Sequence, residues 1–328
     1  MQSKLMNLEE AKKVLSGSGV YMVAADNKVI NQLPKGNWIG GTIPYFMASE
    51  GGVIDQNRVF ITELPSSVQF KDIRFCDEGS IASVYQKIPQ NGLGMIIIPA
   101  LTSTHLSFAV NARNYKEFAQ RPLVGWIAGA HLNELSTVKP KVINGLTGEV
   151  SESKAIVMNL ALAANYYCDV GIVNIFDQGS GDTLEFPESG FEASHVLVNG
   201  KQENFADYVV KNKINIKLPL VADYAGAKIN VSFQNIDEKA RKVSFYAPVF
   251  QGVSYRQAGN VADYIGRFSN ELPKDSSQIA FSCNCILNFL YSELEGKKTS
   301  TITGPITFGE IAYQLLNQTM VYLTIGKS

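Results

Sequence analysis

The sequence has few charged residues for its length. Asp, Glu, Lys and Arg make up 18% of its 328 residues, against about 25% in an average soluble domain. Lys and Arg number 29 and Asp and Glu 30, so the formal net charge is -1. Because nucleic acids and anionic membranes are bound mainly by basic surfaces, this balance predicts neither a nucleic acid nor a membrane as partner.

The sequence also lacks a long hydrophobic run and has few cysteines. Its longest apolar stretch, Met95–Leu101, is far shorter than the roughly 20 residues that a membrane-spanning helix needs. The first fifteen residues are charged in a way that predicts no signal peptide. The four cysteines, Cys76, Cys168, Cys283 and Cys285, are too few and too scattered for a disulfide scaffold. We therefore expect a cytoplasmic protein with reduced thiols.

Catalytic and cofactor motifs are missing as well. The sequence contains no Walker-type phosphate loop, no dinucleotide fingerprint after a strand and no Gly-x-Ser-x-Gly nucleophile elbow. The three histidines, His105, His131 and His195, lie far apart and have no paired metal-ligand spacing. The sequence thus predicts no catalytic residue, no metal and no cofactor.

The hydrophobic pattern predicts a mixed α/β (α+β) fold. The pattern predicts a capped helix after Asn7, a helix over Ser80–Lys87, a buried apolar run over Ala155–Leu162 and a strand over Leu218–Phe233. Predicted strands alternate with short helices and many hairpin signals, which favours mixed sheets flanked by helices over one parallel sheet. Asp177–Ser189, with two Gly and one Pro, is the best candidate for a linker or a long loop. We therefore predict two similar sub-domains, residues 1–177 and 190–328, from an internal duplication.

A repeated segment suggests that duplication. Pro122–Asn133 aligns without gaps on Pro219–Asn230, with seven of twelve positions identical, and Trp38–Thr42 matches Trp126–Ala130. Each copy reads as a strand that enters a turn of small residues at Gly41, Gly129 or Gly226. Small residues there would serve either close packing between duplicated halves or close approach of a ligand to the backbone.

The pair Cys283-Asn284-Cys285 follows an apolar strand. It would suit a metal site or a redox pair, but the second such pair that a tetrahedral site needs is missing. The alternatives are a buried apolar thiol, a thiol beside a ligand, or a cysteine nucleophile.

The C-terminal part of the chain resembles the FIST family. The resemblance is carried by Ala280–Cys283, by Gly304-Pro-Ile-Thr-Phe-Gly-Glu-Ile311 and by Asn317-Gln-Thr319 before the last strand. FIST proteins are tandem FIST-N and FIST-C sensory modules of intracellular signalling, which here would be residues 1–177 and 190–328. FIST proteins usually follow that Cys with Gly-Arg, whereas this chain has Asn284-Cys285. The resemblance implies a sensor of small ligands, with amino acids as the proposed class.

The candidate ligand-binding residues combine apolar walls with a few polar groups. For Glu310 two interpretations stay open, recognition of a ligand amine and a helix N-terminal residue stabilised by the dipole. The full set consists of Trp38, Gly41, Trp126, Gly129, Asp223, Tyr224, Cys283, Gly304, Gly309, Glu310, Asn317 and Thr319.

The hypothesis that follows is a non-catalytic intracellular sensor or binding protein. A small ligand, such as an amino acid or a related metabolite, would bind in a cleft between two duplicated modules, and a separate protein would carry the signalling output. Two alternatives are a scaffold or homo-oligomer without a small ligand, favoured by the aromatic content, and a cysteine-dependent enzyme.

Overall fold

The computed structural model describes residues 3–224, 226–273 and 277–327, and the chain forms two compact units. Unit 1 consists of Met1–Val173, Leu272–Leu315 and Met320–Ser328, and unit 2 of Asn174–Glu271 and Leu316–Thr319. The first segment of unit 1 ends near the predicted boundary at residue 177. The structure otherwise divides the chain differently, since most of the residues after 271 belong to unit 1. Sequence patterns do not show that late strands pair with early ones.

The predicted mixed α+β class is confirmed. The strands before residue 174 are β1 Ser3–Met6, β2 Tyr21–Ala25, β3 Trp38–Thr42, β4 Tyr45–Ala48, β5 Gly51–Ile54, β6 Val59–Glu63, β7 Val68–Cys76, β8 Gly92–Pro99, β9 Leu123–Ala128, β10 Val142–Asn144, β11 Val150–Ser151, β12 Ala155–Leu162 and β13 Tyr166–Val173. The later strands are β14 Leu184–Glu185, β15 Gly190–Ala193, β16 His195–Val198, β17 Lys201–Asn204, β18 Leu220–Tyr224, β19 Ala227–Val231, β20 Phe233–Asp237, β21 Lys242–Val249, β22 Ser254–Gln257, β23 Ile279–Cys285, β24 Gly304–Thr307, β25 Glu310–Ala312, β26 Gln314–Leu316 and β27 Met320–Lys327.

The helices are short. They are α1 Leu8–Leu15, α2 Asn27–Ile30, α3 Ser103–Asn111, α4 Phe205–Lys211, α5 Tyr264–Glu271 and α6 Ile286–Tyr291. The first starts as predicted, since the Asn7 side chain accepts a hydrogen bond from the backbone N–H of Glu10 at 2.9 Å. Within the ranges that the structure describes, no helix has the length and apolar character needed to cross a membrane.

Strands from distant parts of the chain build three six-stranded sheets. Their orders are β1-β6-β2-β3-β10-β11, β26-β25-β9-β8-β12-β7 and β13-β27-β23-β24-β4-β5. Most neighbours are antiparallel, while β2 pairs with β3, β8 with β9 and β23 with β24 in parallel. Strands β2 and β8 are buried along their whole length, which matches their uninterrupted apolar sequences.

One core cluster of unit 1 positions Trp38. Residues of α1, Val29 and Ile30 of α2 and the facing side chains of β2, β3, β6 and β10 bury one another there. Successive side chains of a strand point to opposite faces. Trp38 and Gly40 therefore share the helix-covered face of the sheet, and Gly41 points the other way.

Unit 2 has its own sheets and core. Its sheets are β17-β16-β14-β22-β18-β19 and β15-β21-β20. The core contains a group of aromatic rings whose centroids lie 5.2 to 6.3 Å apart: Phe186, Phe205, Tyr208, Phe233, Phe245 and Tyr255. The internal duplication is not shown, because unit 1 carries three large sheets and unit 2 one large and one three-stranded sheet.

The two copies of the repeated segment have different structures. The first forms β9, which lies between β8 and β25. The second forms the hairpin β18–β19, with Gly226 in its turn at a φ of +100°, a value that favours glycine. Gly41, predicted at a turn, lies inside β3. The two segments share seven of twelve residues but do not share a structure, because the strands around them differ.

Candidate ligand-binding site

Trp126 and Glu310 lie side by side in the core of unit 1. Strand β9 pairs antiparallel with β25, and Trp126 stands directly opposite Glu310, so both side chains lie on one face. Trp126 is 1% exposed and Glu310 is 0% exposed. The Thr307 hydroxyl lies 3.4 Å from Oε1 of Glu310 and 3.1 Å from the carbonyl oxygen of Gly309. Glu310 is thus a strand residue, and its interpretation as a helix N-terminal residue is wrong.

Cys283 and Phe281 complete this group. The Trp126 and Phe281 rings stack with centroids 5.6 Å apart, and the Cys283 thiol donates to the carbonyl oxygen of Gly125 at 3.4 Å. Burial, and secondly the nearby Glu310, raises the pKa of the Cys283 thiol well above its usual value. The group resembles a packed polar core more than a reactive cysteine site, because a nucleophilic cysteine needs a lowered pKa and exposure.

The glycines near this group serve close packing. A Cβ atom at position 41 would lie 2.6 Å from Cγ2 of Ile97 and 3.2 Å from Nε1 of Trp126. At position 129 it would lie 2.4 Å from the Phe308 ring, and at position 304 it would lie 2.2 Å from a backbone oxygen of β23. Carbon atoms in contact normally stay about 3.5 Å or more apart. The packing interpretation of Gly41 and Gly129 therefore fits the geometry better than the ligand interpretation.

The space beside this group is small. A cavity of about 10 Å³ is lined by β23 and β24 residues that include Ser282, Cys283, Asn284 and Gly304. That volume is about what a single water molecule requires. The cluster of Trp126, Cys283 and Glu310 therefore lies beside a cavity too small for an amino acid.

A larger cavity lies beside Trp38, and we call it the Trp38 cavity. Its volume is about 130 Å³. The lining residues come from the end of α2, the following loop, β3, β10 and the β10–β11 turn: Ile30, Asn31, Leu33, Pro34, Lys35, Trp38, Ile143, Gly145, Gly148 and Val150. Six of these ten residues are apolar side chains larger than alanine, so the walls suit an apolar ligand.

Local backbone contacts hold the indole of Trp38 in place. Its Nε1 donates to the carbonyl oxygen of Pro34 at 2.9 Å. The backbone N–H of Gly145 donates to the carbonyl oxygen of Trp38 at 2.9 Å, and that of Gly36 to Gly145 at 3.0 Å. A Cβ atom at position 145 would lie 2.3 Å from Cδ2 of Trp38. Only glycine at position 145 therefore lets the turn approach the ring this closely.

The β10–β11 turn forms the other wall. The Asn144 side chain accepts hydrogen bonds from the backbone N–H groups of Leu146 and Thr147 at 3.0 and 3.4 Å, an Asx turn. Gly148 has a φ of +80°. The register places Ile143 opposite both Gly40 and Val150. The turn chemistry is visible in the sequence, whereas the pairing of β10 with β3 is not.

The Trp38 cavity has one charged group at its rim. Lys35 is exposed and, of the described residues that line the cavity, it alone is ionisable. Among the residues that the structure describes, Lys35 has no salt bridge. Trp38 is the single sequence-predicted site residue in this lining. Lys35, Asn31 and Ile143 were missed because no motif marks them.

Four predicted site residues belong to unit 2. Asp223 is exposed and accepts a hydrogen bond from the backbone N–H of Gly226 at 2.6 Å, so it closes the β18–β19 turn. Tyr224, in the same hairpin, is 39% exposed. Asn317 and Thr319 are buried, and Oδ1 of Asn317 accepts from the backbone N–H and the hydroxyl of Ser232 at 3.2 and 2.7 Å. None of these four lines the Trp38 cavity.

A second unit 2 feature is a cavity of about 40 Å³ over the aromatic core. Asp182 and Tyr208 lie at its edge, and the tyrosine hydroxyl donates to the carboxylate at 2.9 Å. Burial raises the pKa of Tyr208 to about 12.

The described residues contain no group of three or more His, Cys, Asp or Glu side chains able to hold a metal ion.

One comparison with known proteins gives a match. The model of a family of unknown function, DUF6976, matches residues 6–326. None of the curated proteins and none of the solved structures matches the chain. The matching model is not a FIST model, so the FIST resemblance stays a prediction. Since the match covers nearly the whole sequence, the chain belongs to the family of unknown function DUF6976.

Proposed function

We propose that this protein binds a small organic ligand, without catalysing a reaction, in the Trp38 cavity. The observation that carries the proposal is a cavity of about 130 Å³ beside a buried indole. A dry apolar cavity of about 150 Å³ in another protein binds benzene. The Trp38 cavity, at about 130 Å³, is close to the size needed for one six-membered ring, and a substituent on that ring would lie at the exposed rim formed by Lys35 and Val150.

The lining favours binding over catalysis. Among the described lining residues there is no His, Cys, Asp, Glu, Ser, Thr or Tyr, and only Lys35 is of a type that acts as a nucleophile or as a general acid or base. Six of the ten lining residues carry apolar side chains larger than alanine, which suits recognition by shape. A binding role without chemistry is the simpler function of such a site.

We place this binding in the cytoplasm and in a sensory role. Four free cysteines are compatible with a reducing compartment. In this proposal a separate protein reads the loaded state and produces the output. The cavity lies within unit 1, so the proposal does not need the cleft between two modules that the sequence suggested.

Ligand-observed NMR with toluene as the probe tests the binding. A ligand of about seven heavy atoms at roughly −0.7 kcal/mol per atom has a Kd of about 0.3 mM. Val150→Phe fills the cavity from its rim, because Val150 is 42% exposed and lines it. Leu146→Phe is the matched control, since Leu146 is 47% exposed in the same turn and lies outside the lining.

We expect Val150→Phe to weaken toluene binding at least about tenfold, while Leu146→Phe leaves it unchanged. Absence of binding by the wild-type protein in toluene-saturated buffer would refute the proposal. Equal weakening by the two variants would refute it as well, because the toluene would then bind elsewhere.

A further inference from the structure

We infer that the ligand of the Trp38 cavity is a one-ring carboxylic acid whose ring enters the cavity and whose carboxylate faces Lys35. This inference rests on the proposed function and adds the chemical class of the ligand. Three features carry it: the apolar walls, the cation at the rim and the lack of a carboxylate among the described lining residues.

The walls of the cavity suit an apolar ring. Ile30, Trp38 and Ile143 are each at most 3% exposed, and they form the buried part of the lining. No polar side chain stands among these three. A hydrogen-bonding substituent directed at them would lose its water without gaining a partner, which weakens binding. The buried end of the ligand is therefore hydrocarbon.

The rim is basic. The Lys35 side chain passes along the β10–β11 turn, where its Cε lies 3.5 Å from the position of a Cβ at Gly148. Glu149 follows Gly148 in the chain and is exposed, but it does not line the cavity. Asn31, exposed at the end of α2, adds a side-chain amide that is able to donate. The polar end of the ligand therefore meets a cation and an amide donor.

The backbone acceptors near the cavity already have donors. The carbonyl oxygen of Pro34 accepts from the indole of Trp38. That of Gly145 accepts from Gly36, and that of Ile30 from the backbone N–H of Leu33 at 3.4 Å. An ammonium group would meet the like charge of Lys35 and, among the described lining residues, no carboxylate. This separates a simple carboxylic acid from an amine and disfavours a zwitterionic amino acid.

Four one-ring probes separate charge from shape: benzoate, benzamide, benzylamine and toluene. Their Kd values are measured by ligand-observed NMR at low salt. An ion pair at a partly exposed rim is worth up to about 1 kcal/mol, which is about a fivefold change in Kd. We expect benzoate to bind about three- to fivefold more tightly than benzamide, and benzylamine to bind most weakly. Phenylalanine added to the panel tests the amino-acid class directly.

Lys35→Met removes the charge and keeps an apolar stem, and Lys35→Arg keeps the charge. Lys139→Met is the control, because Lys139 is also exposed and does not line the cavity. We expect Lys35→Met to weaken benzoate about fivefold and leave toluene unchanged, with Lys35→Arg and Lys139→Met close to the wild type.

The two proposals fail in different ways. If toluene binds but benzoate has no advantage over benzamide, or if Lys35→Met leaves the benzoate Kd unchanged, the carboxylate inference is overturned and the binding function stands. Tighter binding of benzylamine or phenylalanine than of benzoate overturns it too. If none of the probes binds, or if Val150→Phe does not weaken them, the proposed function itself fails.

Discussion

Protonation of His105 should destabilise the protein in mild acid. His105 lies in the first turn of α3 and is 6% exposed. Its Nδ1 accepts a hydrogen bond from the backbone N–H of Leu101 at 3.2 Å. Burial lowers the pKa of His105 from 6.5 to about 4. A proton on Nδ1 would place two donors against each other, so the geometry also favours the neutral ring.

The sign and size of the effect follow from linkage between protonation and folding. Between pH 6.5 and 4 the unfolded chain binds a proton at His105 that the folded chain does not bind. Stability is therefore fully present above pH 6.5 and is lost as the pH falls toward 4. Each unit of pKa difference corresponds to about 1.4 kcal/mol, so the loss amounts to about 3 kcal/mol.

Urea unfolding at pH 7, 5.5 and 4.5 measures this loss. His105→Asn removes the titrating ring and keeps an acceptor for the N–H of Leu101. His195→Gln is the control, because His195 is exposed. We expect the wild type and His195→Gln to lose stability in parallel, and His105→Asn to lose much less. The Asp55 carboxyl does not interfere with this measurement. Its pKa is below its usual value, so the stability that it contributes is lost only below about pH 4, outside the pH range of the experiment.

The reasoning would be refuted by an equal loss of stability in His105→Asn and the wild type between pH 6.5 and 4. A wild type whose free energy of unfolding does not change in this window would refute it as well. If His195→Gln loses less stability than the wild type as the pH falls, His195 and not His105 causes the pH dependence.

Three further predictions follow from packing and burial. Gly41→Ala should lower the free energy of unfolding by about 1–3 kcal/mol through overpacking, while Gly181→Ala, which meets no atom within 4 Å, should stay within about 0.5 kcal/mol in urea unfolding; equal effects would contradict the packing interpretation. Native Cys283 should react with iodoacetamide at neutral pH far more slowly than in the unfolded chain, measured by mass spectrometry, and fast labelling would contradict its raised pKa. Asn317→Ala should lower the free energy of unfolding in urea by about 1–3 kcal/mol, because the buried backbone N–H of Ser232 loses its acceptor, while the Ser232 hydroxyl keeps Oε1 of Gln318 as its acceptor at 2.6 Å; Asn133→Ala, at an exposed position, should cost little.

Sequence patterns were reliable where the local chemistry is strong. The helix after Asn7 appears as predicted, and the apolar run Ala155–Leu162 forms strand β12, because a cap and an apolar run act on their own residues. The helix expected over Ser80–Lys87 is instead two 3-10 turns, Ile81–Ser83 and Tyr85–Lys87. The strand expected over Leu218–Phe233 is broken by the turn at Gly226.

The candidate site was only partly visible in the sequence. Trp38 was selected for its resemblance to the Trp126 segment, but the two indoles have different surroundings. Trp126 is packed between strands of unit 1, and Trp38 lines a cavity. Lys35 and Ile143 carry no motif, since their role depends on a cavity that forms only when β10 pairs with β3.

The sequence by itself determined the low net charge, the turns and caps, the mixed α+β class and the absence of familiar catalytic motifs. These depend on residue type and on neighbours within a few positions. Only the tertiary structure decided that Gly40 stands opposite Ile143 and that Trp126 stands opposite Glu310. It also decided that Trp38 lines a cavity. The physical reason is that pairing between strands far apart in the chain depends on the total surface that all strands bury together. A short segment does not contain that information.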